Sequence, residues 1–292
     1  MGSENGDIHQ GERVDVALVG AGIEHSLSPA LHEREGDLLG FDYRYRLLDL
    51  PSGTPIAEVV ERCRLEGLRG LNVTHPFKQE VLDSLDRLSP EAAALGAVNT
   101  VLFGPHGAEG HNTDTQGFRD AFTAGLPDAA SDRVVVVGAG GAGAAVAYAL
   151  LGLDAGQVRV VDRDPGRAGD LVAKLTDHFG SGRAVPADRI ELDDADGLVH
   201  ATPTGMGGGE ESAVDAGLLD PRLWVAEVVY MPLDTRLLRD ARAAGCTTLD
   251  GGAMVASQAA GSLELFTGVA PDRARMAAHM ADLVAGQREA AR

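Results

Sequence analysis

The stretch from Val134 to Leu153 reads VVVVGAGGAGAAVAYALLGL and carries no charged residue over twenty positions. A run of this length could cross a bilayer as a helix. Its internal order argues against a span, because four valines lead into clustered glycines and then into an alanine-rich helical pattern. We therefore predict a buried strand, a tight turn and a helix.

The glycines of the turn form the pattern G-x-G-x-x-G at Gly138, Gly140 and Gly143. A second strand, QVRVVD, follows and ends in Asp162, 19 residues after Gly143. This arrangement is typical of dinucleotide binding: glycines let the backbone approach a pyrophosphate, and the acidic residue reaches the adenosine ribose. The residues predicted to hold the nucleotide here are Gly138, Ala139, Gly140, Gly141, Ala142, Gly143 and Asp162.

The composition limits the partners. A net charge of −19 opposes a nucleic-acid or anionic-membrane partner, because the field of the chain repels phosphate. A bound nucleotide therefore needs a local region of positive potential, and the N-terminus of the helix after the turn supplies one. With 44% hydrophobic and 24% charged residues over 292 positions, the chain is typical of a globular protein with two domains.

The termini and cysteines indicate a cytoplasmic protein. The opening MGSENGDIHQGER is polar and acidic, without the apolar core of a signal, so residues 1–12 are expected to be a loose tail. Cys63 and Cys246 show no metal or redox spacing and are expected to be buried small residues in a reducing compartment. No metal site is predicted, and the sequence does not distinguish a monomer from a homodimer.

Lysine use draws attention to one turn. Only two of the 25 basic residues are lysines, Lys78 and Lys174. Lys174 lies on the polar face of an amphipathic helical pattern, whereas Lys78 follows a short apolar strand in GLNVTHPFKQ. An ammonium can release a proton where a guanidinium stays charged. From position alone, Lys78 is either a proton-transfer group or a surface residue at a helix start.

Around the glycine turn, β-like runs alternate with helical patterns. The predicted strands are Val14–Val19, Tyr43–Leu48, Leu68–Val73, Val98–Phe103, Gly197–His200 and Trp224–Val229. Pro55 starts one helix, and the last 41 residues, from Gly252, form two helices with Pro271 at the second start. This alternation predicts an α/β fold with an open, mainly parallel sheet in the first domain and a Rossmann second domain. A cleft between the domains is the expected substrate site.

Six motifs in order resemble those of shikimate dehydrogenases. They are SLSP from Ser26, NVTHPFK from Asn72, GAVNT from Gly96, GHNTD from Gly110, GAGGAG from Gly138 and MVASQA from Met254. Further details, VVYMPLDT from Val228 and GCTTLDG from Gly245, resemble the quinate/shikimate branch of actinobacteria. The resemblance implies a catalytic domain of residues 13–115 and 252–292, to which the closing helices return, and a Rossmann NAD(P)-binding domain of residues 116–251.

The resemblance also implies roles for individual residues. Lys78 and Asp114 would be the acid–base pair at the substrate hydroxyl, although Asp114 also stands where a helix N-cap is expected. The residues that the resemblance implies at the substrate are Ser26, Ser28, Asn72, Thr74, Asn99, Tyr230 and Gln258. Those implied at the cofactor, besides the turn, are Ala201, Thr202, Pro203, Val228 and Gly251. For each polar residue the alternative is a structural role, as a turn or helix-start residue.

The implied activity is oxidation of quinate and shikimate with NAD. NADP-dependent relatives commonly have NRT after the second strand, where the arginine holds the 2′-phosphate, and this chain has Asp162, Arg163 and Asp164 there. Asp162 can accept from a free ribose hydroxyl and would repel a phosphate, so a preference for NAD is expected, with residual NADP use because Arg163 is implied at the cofactor. The alternatives are a biosynthetic NADP-dependent shikimate dehydrogenase and a non-catalytic sensor of the same acids. Three residues depart from the family's pattern: His200 in HATPTGM, Glu227 before VVY, and Ala253.

Overall fold

The structure is a computed structural model that describes residues 11–290, without the side chains of 287–290. Residues 1–10 of the predicted tail lie outside the described part. The described residues form two compact units, one that runs to Thr113 and includes Ala256–Leu283, and one of Asp114–Val255 together with the residues from Val284. The functional division at residues 115 and 252 stays a prediction.

The first unit contains a mixed sheet of six strands. They are β1 Arg13–Gly20, β2 Asp42–Asp49, β3 Gly70–Val73, β4 Arg87–Leu88, β5 Thr100–Gly104 and β6 Gly107–His111, in the order β2-β1-β3-β5-β6-β4. β1 pairs in parallel with β2 and β3, and β4 pairs in parallel with β6. β5 runs antiparallel to β3 and β6. The start of β5 therefore lies beside the carboxyl end of β3, from which the NVTHPFK motif continues.

Three helices and one 3₁₀ turn connect these strands. They are α1 Ser28–Leu38, α2 Ile56–Leu65, the 3₁₀ turn Glu80–Ser84 and α3 Pro90–Leu95. α1 has Pro29 in its first turn, where the missing N–H costs no helical hydrogen bond. Ser89 caps α3 by accepting a hydrogen bond from the backbone N–H of Ala92 at 3.1 Å. Phe77 and Val81, both fully buried, belong to a core cluster on this sheet.

The second unit contains a fully parallel sheet. Its strands are β7 Arg133–Val137, β8 Gln157–Val161, β9 Ala184–Ala187, β10 Gly197–His200, β11 Trp224–Glu227 and β12 Thr247–Leu249. They lie in the order β12-β11-β10-β7-β8-β9, so the strand order reverses at β7. Ligands bind outside the carboxyl ends of such strands at the point of reversal. The glycine turn follows β7 and therefore lies at this point.

Four helices belong to this unit, together with the 3₁₀ turns Met206–Gly208 and Ala216–Leu218. The helices are α4 Asp114–Gly125, α5 Gly141–Gly152, α6 Pro165–Phe179 and α7 Arg236–Ala243. The apolar run predicted not to be a membrane span divides into β7 and α5, as expected. Among residues 11–290, no helix combines the length and the apolar character that crossing a membrane requires.

Two helices close the chain, α8 Gly252–Thr267 and α9 Arg273–Ala290. Glu35 of α1, 2% exposed, accepts hydrogen bonds from the Asp272 backbone N–H at 3.0 Å and from Arg275 Nη2 at 2.6 Å. A buried carboxylate thus fixes the start of α9. Phe266 packs into the core cluster that includes Val16 and Tyr43.

The structure differs from the elements predicted from the sequence at a few places. The first sheet is mixed because β5 and β6 form an antiparallel pair that the predicted alternation did not contain. β4, β6, β9 and β12 were not predicted, and β3 and β5 each begin two residues later than expected. The last helix begins at Arg273, two residues after Pro271. Cys63 and Cys246 are buried and free, as predicted.

Candidate active site and nucleotide site

The loop after β1 carries the two serines. The Asp49 carboxylate accepts hydrogen bonds from the backbone N–H groups of Gly22 at 2.8 Å and Ile23 at 3.0 Å. The Ser26 N–H then bonds the Ile23 carbonyl at 2.9 Å. The hydroxyl oxygens of Ser26 and Ser28 lie 3.2 Å apart. The loop is therefore fixed by backbone contacts, and it holds two hydroxyl groups side by side.

Asn72, at the carboxyl end of β3, is buried and heavily bonded. Its amide nitrogen donates to Thr100 Oγ1 at 3.1 Å and to the Asn99 carbonyl at 3.3 Å. Its amide oxygen accepts from the Tyr45 hydroxyl at 2.8 Å. These contacts assign the orientation of the amide and hold it rigidly.

Asn99 joins the network at the start of β5. Its amide nitrogen donates to Thr113 Oγ1 at 2.9 Å, and its amide oxygen accepts from the Thr113 N–H at 2.8 Å. Thr113 Oγ1 also lies 3.5 Å from the side-chain oxygen of Gln258 on α8. Three of the predicted substrate residues, Asn72, Asn99 and Gln258, are thus connected within one unit.

The proposed proton-transfer residues lie in different units of the chain. Lys78 is partly buried in the first unit, and its carbonyl accepts from the Val98 N–H at 2.8 Å. Thr74, four residues earlier, is held by its N–H bonding the Val19 carbonyl at 2.9 Å. Asp114 is the first residue of α4 and is 5% exposed. Lys174 is exposed on α6, as predicted.

The glycine turn is tightly built at two positions. Gly138 has a φ of +111°, and its N–H bonds the Val161 carbonyl at 2.7 Å. A Cβ at Gly143 would lie 1.8 Å from the Gly138 carbonyl oxygen, so α5 packs against the turn only with glycine there. At Gly140, in contrast, a Cβ would meet only Arg167 Nη2 at 3.5 Å. The structure leaves room beside the backbone at Gly140, as a nucleotide pyrophosphate requires.

α5 begins beside that room. Gly140 is its N-cap and offers no side chain, so the first N–H groups of the helix are not capped by that residue. Such an end attracts an anion through its N–H groups and the helix dipole. The local region of positive potential that an acidic chain needs for a nucleotide is therefore present.

Asp162 organises the end of β8. One carboxylate oxygen accepts from the Ala139 N–H at 2.7 Å and the other from the Asp164 N–H at 3.0 Å. Asp164 in turn caps α6, accepting from the Gly166 N–H at 2.9 Å. Arg163 between them is exposed. Asp162 therefore fixes the glycine turn as well as offering its remaining lone pairs to a ligand.

The other predicted nucleotide residues follow the neighbouring strands. Ala201, Thr202 and Pro203 leave β10, and the Ala201 N–H bonds the Val137 carbonyl at 2.8 Å. Val228 follows β11, and its N–H bonds the His200 carbonyl at 3.0 Å. Tyr230 and the buried Gly251 belong to the same unit. This group thus lines the carboxyl edge of the second sheet.

Comparison with known proteins identifies the family of the chain. Residues 18–101 match the family model for the shikimate dehydrogenase substrate binding domain. A shikimate dehydrogenase (NADP(+)) of Streptomyces avermitilis is 55% identical over 92% of this chain and 95% of its own. The chain belongs to the shikimate dehydrogenase family. It is an oxidoreductase, a shikimate/quinate dehydrogenase with a pyridine nucleotide cofactor.

Two further relatives carry other names. A quinate/shikimate dehydrogenase (NAD(+)) of Corynebacterium efficiens is 45% identical over 90% of this chain and 96% of its own. A structure of quinate dehydrogenase from Corynebacterium glutamicum in complex with NAD has a TM-score of 0.84 at 43% identity, covering 91% of this chain and 98% of its own. The family and the two-domain α/β fold are therefore confirmed.

The structure adds residues that the sequence reading missed. Tyr45 bonds Asn72, Thr100 and Thr113 bond the two asparagines, and Arg167 lies beside Gly140. Thr113 stands inside the quoted motif GHNTD, which was a usable signal. Tyr45 and Arg167 lie in a strand and a helix without a motif, so nothing in the sequence pointed to them.

Proposed function

We propose that this enzyme oxidises quinate and shikimate at the C3 hydroxyl, with NAD as the preferred cofactor. The observation that carries the cofactor choice is the pair of carboxylates, Asp162 and Asp164, around Arg163 at the end of β8. Most residues that we assign to the substrate belong to the first unit, whereas Asp114, Tyr230 and the residues that we assign to the nucleotide belong to the second. Cytoplasmic location and the monomeric or homodimeric state stay predictions.

Oxidation of a secondary alcohol releases a proton and a hydride. The bound nicotinamide supplies the hydride acceptor, and the protein must supply the proton acceptor. We assign that role to Lys78, and Asp114 is the second member of the acid–base pair that the family's motifs imply. The ammonium returns the proton in the reverse direction, which an arginine could not do. The presence of both residues argues against the non-catalytic sensor.

The polar residues of the first unit suit a polyhydroxylated ring acid. The paired hydroxyls of Ser26 and Ser28 suit the carboxylate, since both can donate to it. Quinate carries an additional tertiary hydroxyl on the carboxylate-bearing carbon, which requires a polar neighbour at the same place. For the ring hydroxyls we assign Asn72, Thr74, Asn99 and Gln258, with Tyr230 beside the substrate. The rigid bonding between the asparagines favours a preorganised site.

The nucleotide end supports NAD over NADP. The Asp162 carboxylate is held by two N–H groups and keeps lone pairs that can accept from a free ribose hydroxyl. A 2′-phosphate in the same place would be repelled by this carboxylate. Asp164 adds a second negative charge two residues on. We therefore expect a clear preference for NAD with residual use of NADP.

A specific observation favours a second candidate, an NADP-dependent shikimate dehydrogenase. Arg163 is exposed at the end of β8, and Arg167 lies beside Gly140, so two guanidinium groups are available to a phosphate. The Streptomyces relative named for NADP is also 55% identical. The candidates differ in the ratio of kcat/KM for NAD to that for NADP, which is above one for the first and below one for the second.

Steady-state assays of the purified enzyme test the substrate. Quinate and shikimate are each supplied with NAD and, in parallel, with NADP, and formation of the reduced nucleotide is followed. Oxidation of both acids supports the proposal. Turnover of shikimate without any turnover of quinate would favour the second candidate. Binding of quinate or shikimate with no turnover in all four combinations of acid and nucleotide would favour the sensor.

A further inference from the structure

A buried ionisable pair ends two central strands of the second unit. His200 is the last residue of β10 and Glu227 the last of β11, and the two are partners in the parallel register. They are only 1% and 3% exposed. A buried pair of this kind rarely adds net stability over apolar residues, and its best-attested use is to specify one arrangement. Its place is the carboxyl edge of the sheet, where the predicted nucleotide residues follow.

His200 bonds in two directions. Its Nδ1 donates to Glu227 Oε1 at 2.8 Å, because a carboxylate can only accept. Its Nε2 lies 2.5 Å from Thr202 Oγ1, in the loop that leaves β10. Thr202 Oγ1 also accepts from the Thr204 N–H at 3.2 Å, which closes a turn. The imidazole therefore ties the Thr202–Thr204 turn to the neighbouring strand.

Glu227 connects the same group to the loop after β11. Its Oε1 also accepts from the Val229 N–H at 3.0 Å, and its Oε2 accepts from the Thr235 hydroxyl at 3.1 Å. Thr235 is the N-cap of α7 and accepts from the Leu238 N–H at 3.3 Å. A single carboxylate thus fixes the entry to α7 and the first residues after β11.

We propose that His200 and Glu227 are positioning residues for the nucleotide. Together they lock the turn at Thr202 and the segment at Val228 into one arrangement, and so set the affinity for the nicotinamide nucleotide without touching it. This inference rests on the nucleotide part of the proposed function. It does not depend on which acid is oxidised or on which nucleotide is preferred.

The test is a double-mutant cycle read by binding. The variants are His200→Gln, Glu227→Gln and the double variant, chosen because amides of similar length keep the core filled. Calorimetric titration with NADH and with NADPH gives the dissociation constants. Each single variant is expected to weaken binding of the preferred nucleotide at least about fivefold. The double variant should bind no more weakly than the single variant with the larger loss of affinity, because the two residues act as one unit.

The matched control is Arg222→Ala. Arg222 precedes β11 at the opposite edge of the same sheet and donates to the Ala195 carbonyl at 2.5 Å. Its loss should lower the melting temperature and leave the dissociation constant within about twofold of wild type, because only remote contacts are broken. Hydrogen exchange of the peptides that contain Thr204 and Val229 should rise in the His200 variant and stay unchanged in the control.

Three results would overturn the proposal. They are unchanged nucleotide affinity in a folded His200→Gln enzyme, additive effects in the double variant, and an equal loss in Arg222→Ala. If the Gln variants do not fold, His200→Asn alone repeats the test, because the shorter amide lacks the ring nitrogen that reaches Thr202 and leaves Glu227 at full length; unchanged affinity there would also overturn the proposal. Failure of the proposed substrate or of NAD preference leaves these binding results intact, so the two claims fail separately.

Discussion

The substitution Gly140→Ala tests whether Gly140 is needed by the ligand rather than by the fold. Gly140 has φ −78° and ψ −173°, an extended backbone that alanine adopts readily. The added Cβ would meet only Arg167 Nη2, at an ordinary contact of 3.5 Å. The stability of the protein alone should therefore stay within about 1 kcal/mol of wild type, since the unfolded chain loses freedom while alanine is a poorer N-cap than glycine.

Nucleotide binding should respond in the opposite direction. The methyl group fills the room beside the backbone and displaces a pyrophosphate from the N–H groups at the start of α5. Loss of one charged hydrogen bond is worth about 1.5–3 kcal/mol, which corresponds to about 10- to 140-fold weaker binding. Urea unfolding gives the stability, and calorimetry with NADH and NADPH gives the affinity.

Gly143→Ala is the contrasting variant. Its Cβ would lie 1.8 Å from the Gly138 carbonyl oxygen, so it should destabilise the unliganded protein by about 1–3 kcal/mol through overpacking. If Gly140→Ala instead bound both nucleotides as tightly as wild type, the pyrophosphate would not lie at this turn. Equal destabilisation by the two substitutions would contradict the different roles that we assign to Gly140 and Gly143.

Three further outcomes are expected. Lys78→Ala should lower kcat about 10²–10⁴-fold for both acids with nucleotide affinity retained, and near-normal kcat would remove Lys78 from the chemistry. Asp162→Asn with Asp164→Thr should shift the kcat/KM ratio toward NADP while weakening both nucleotides, since an amide oxygen replaces only one of the two oxygens that accept from Ala139 and Asp164; an unchanged ratio would contradict this. Burial lowers the pKa of His32 from 6.5 to about 3. The unfolded chain then takes up a proton that the native one does not, so the free energy of unfolding should fall by about 2 kcal/mol between pH 7 and pH 5. In His32→Gln this dependence should be smaller, and an identical pH profile of urea unfolding in the two proteins would be evidence against a neutral buried histidine.

The Rossmann unit could be predicted because its signals are local. Four valines, three spaced glycines and an acidic residue at a fixed distance each report a separate physical requirement, and they agree. The pair β5–β6 could not be predicted in the same way. β6 reads GAEGH and has no apolar alternation, because Gly110 packs so closely that a Cβ there would lie 2.6 Å from Leu85 Cδ1.

The candidate site shows a similar division. The motif residues were predicted one by one, but their bonding to each other was not. Asn72 was expected to offer its amide to a ligand, and the structure gives that amide three protein partners, one of them Tyr45 from a different strand. Tyr45 and Asn72 are 27 positions apart, and no local pattern reports a contact of that kind. The roles of these residues toward a substrate stay predictions.

The most direct test of the account is the ratio of kcat/KM for NAD to that for NADP, measured on the wild-type enzyme with saturating shikimate. Asp162 and Asp164 around Arg163 predict a ratio of about ten or more, since two like charges about 4 Å apart near a protein surface repel by about 4 kcal/mol, whereas a tenfold ratio requires about 1.4 kcal/mol. A ratio of one or less would show that Arg163 and Arg167 outweigh the two carboxylates. The enzyme would then be the NADP-dependent shikimate dehydrogenase of the second candidate.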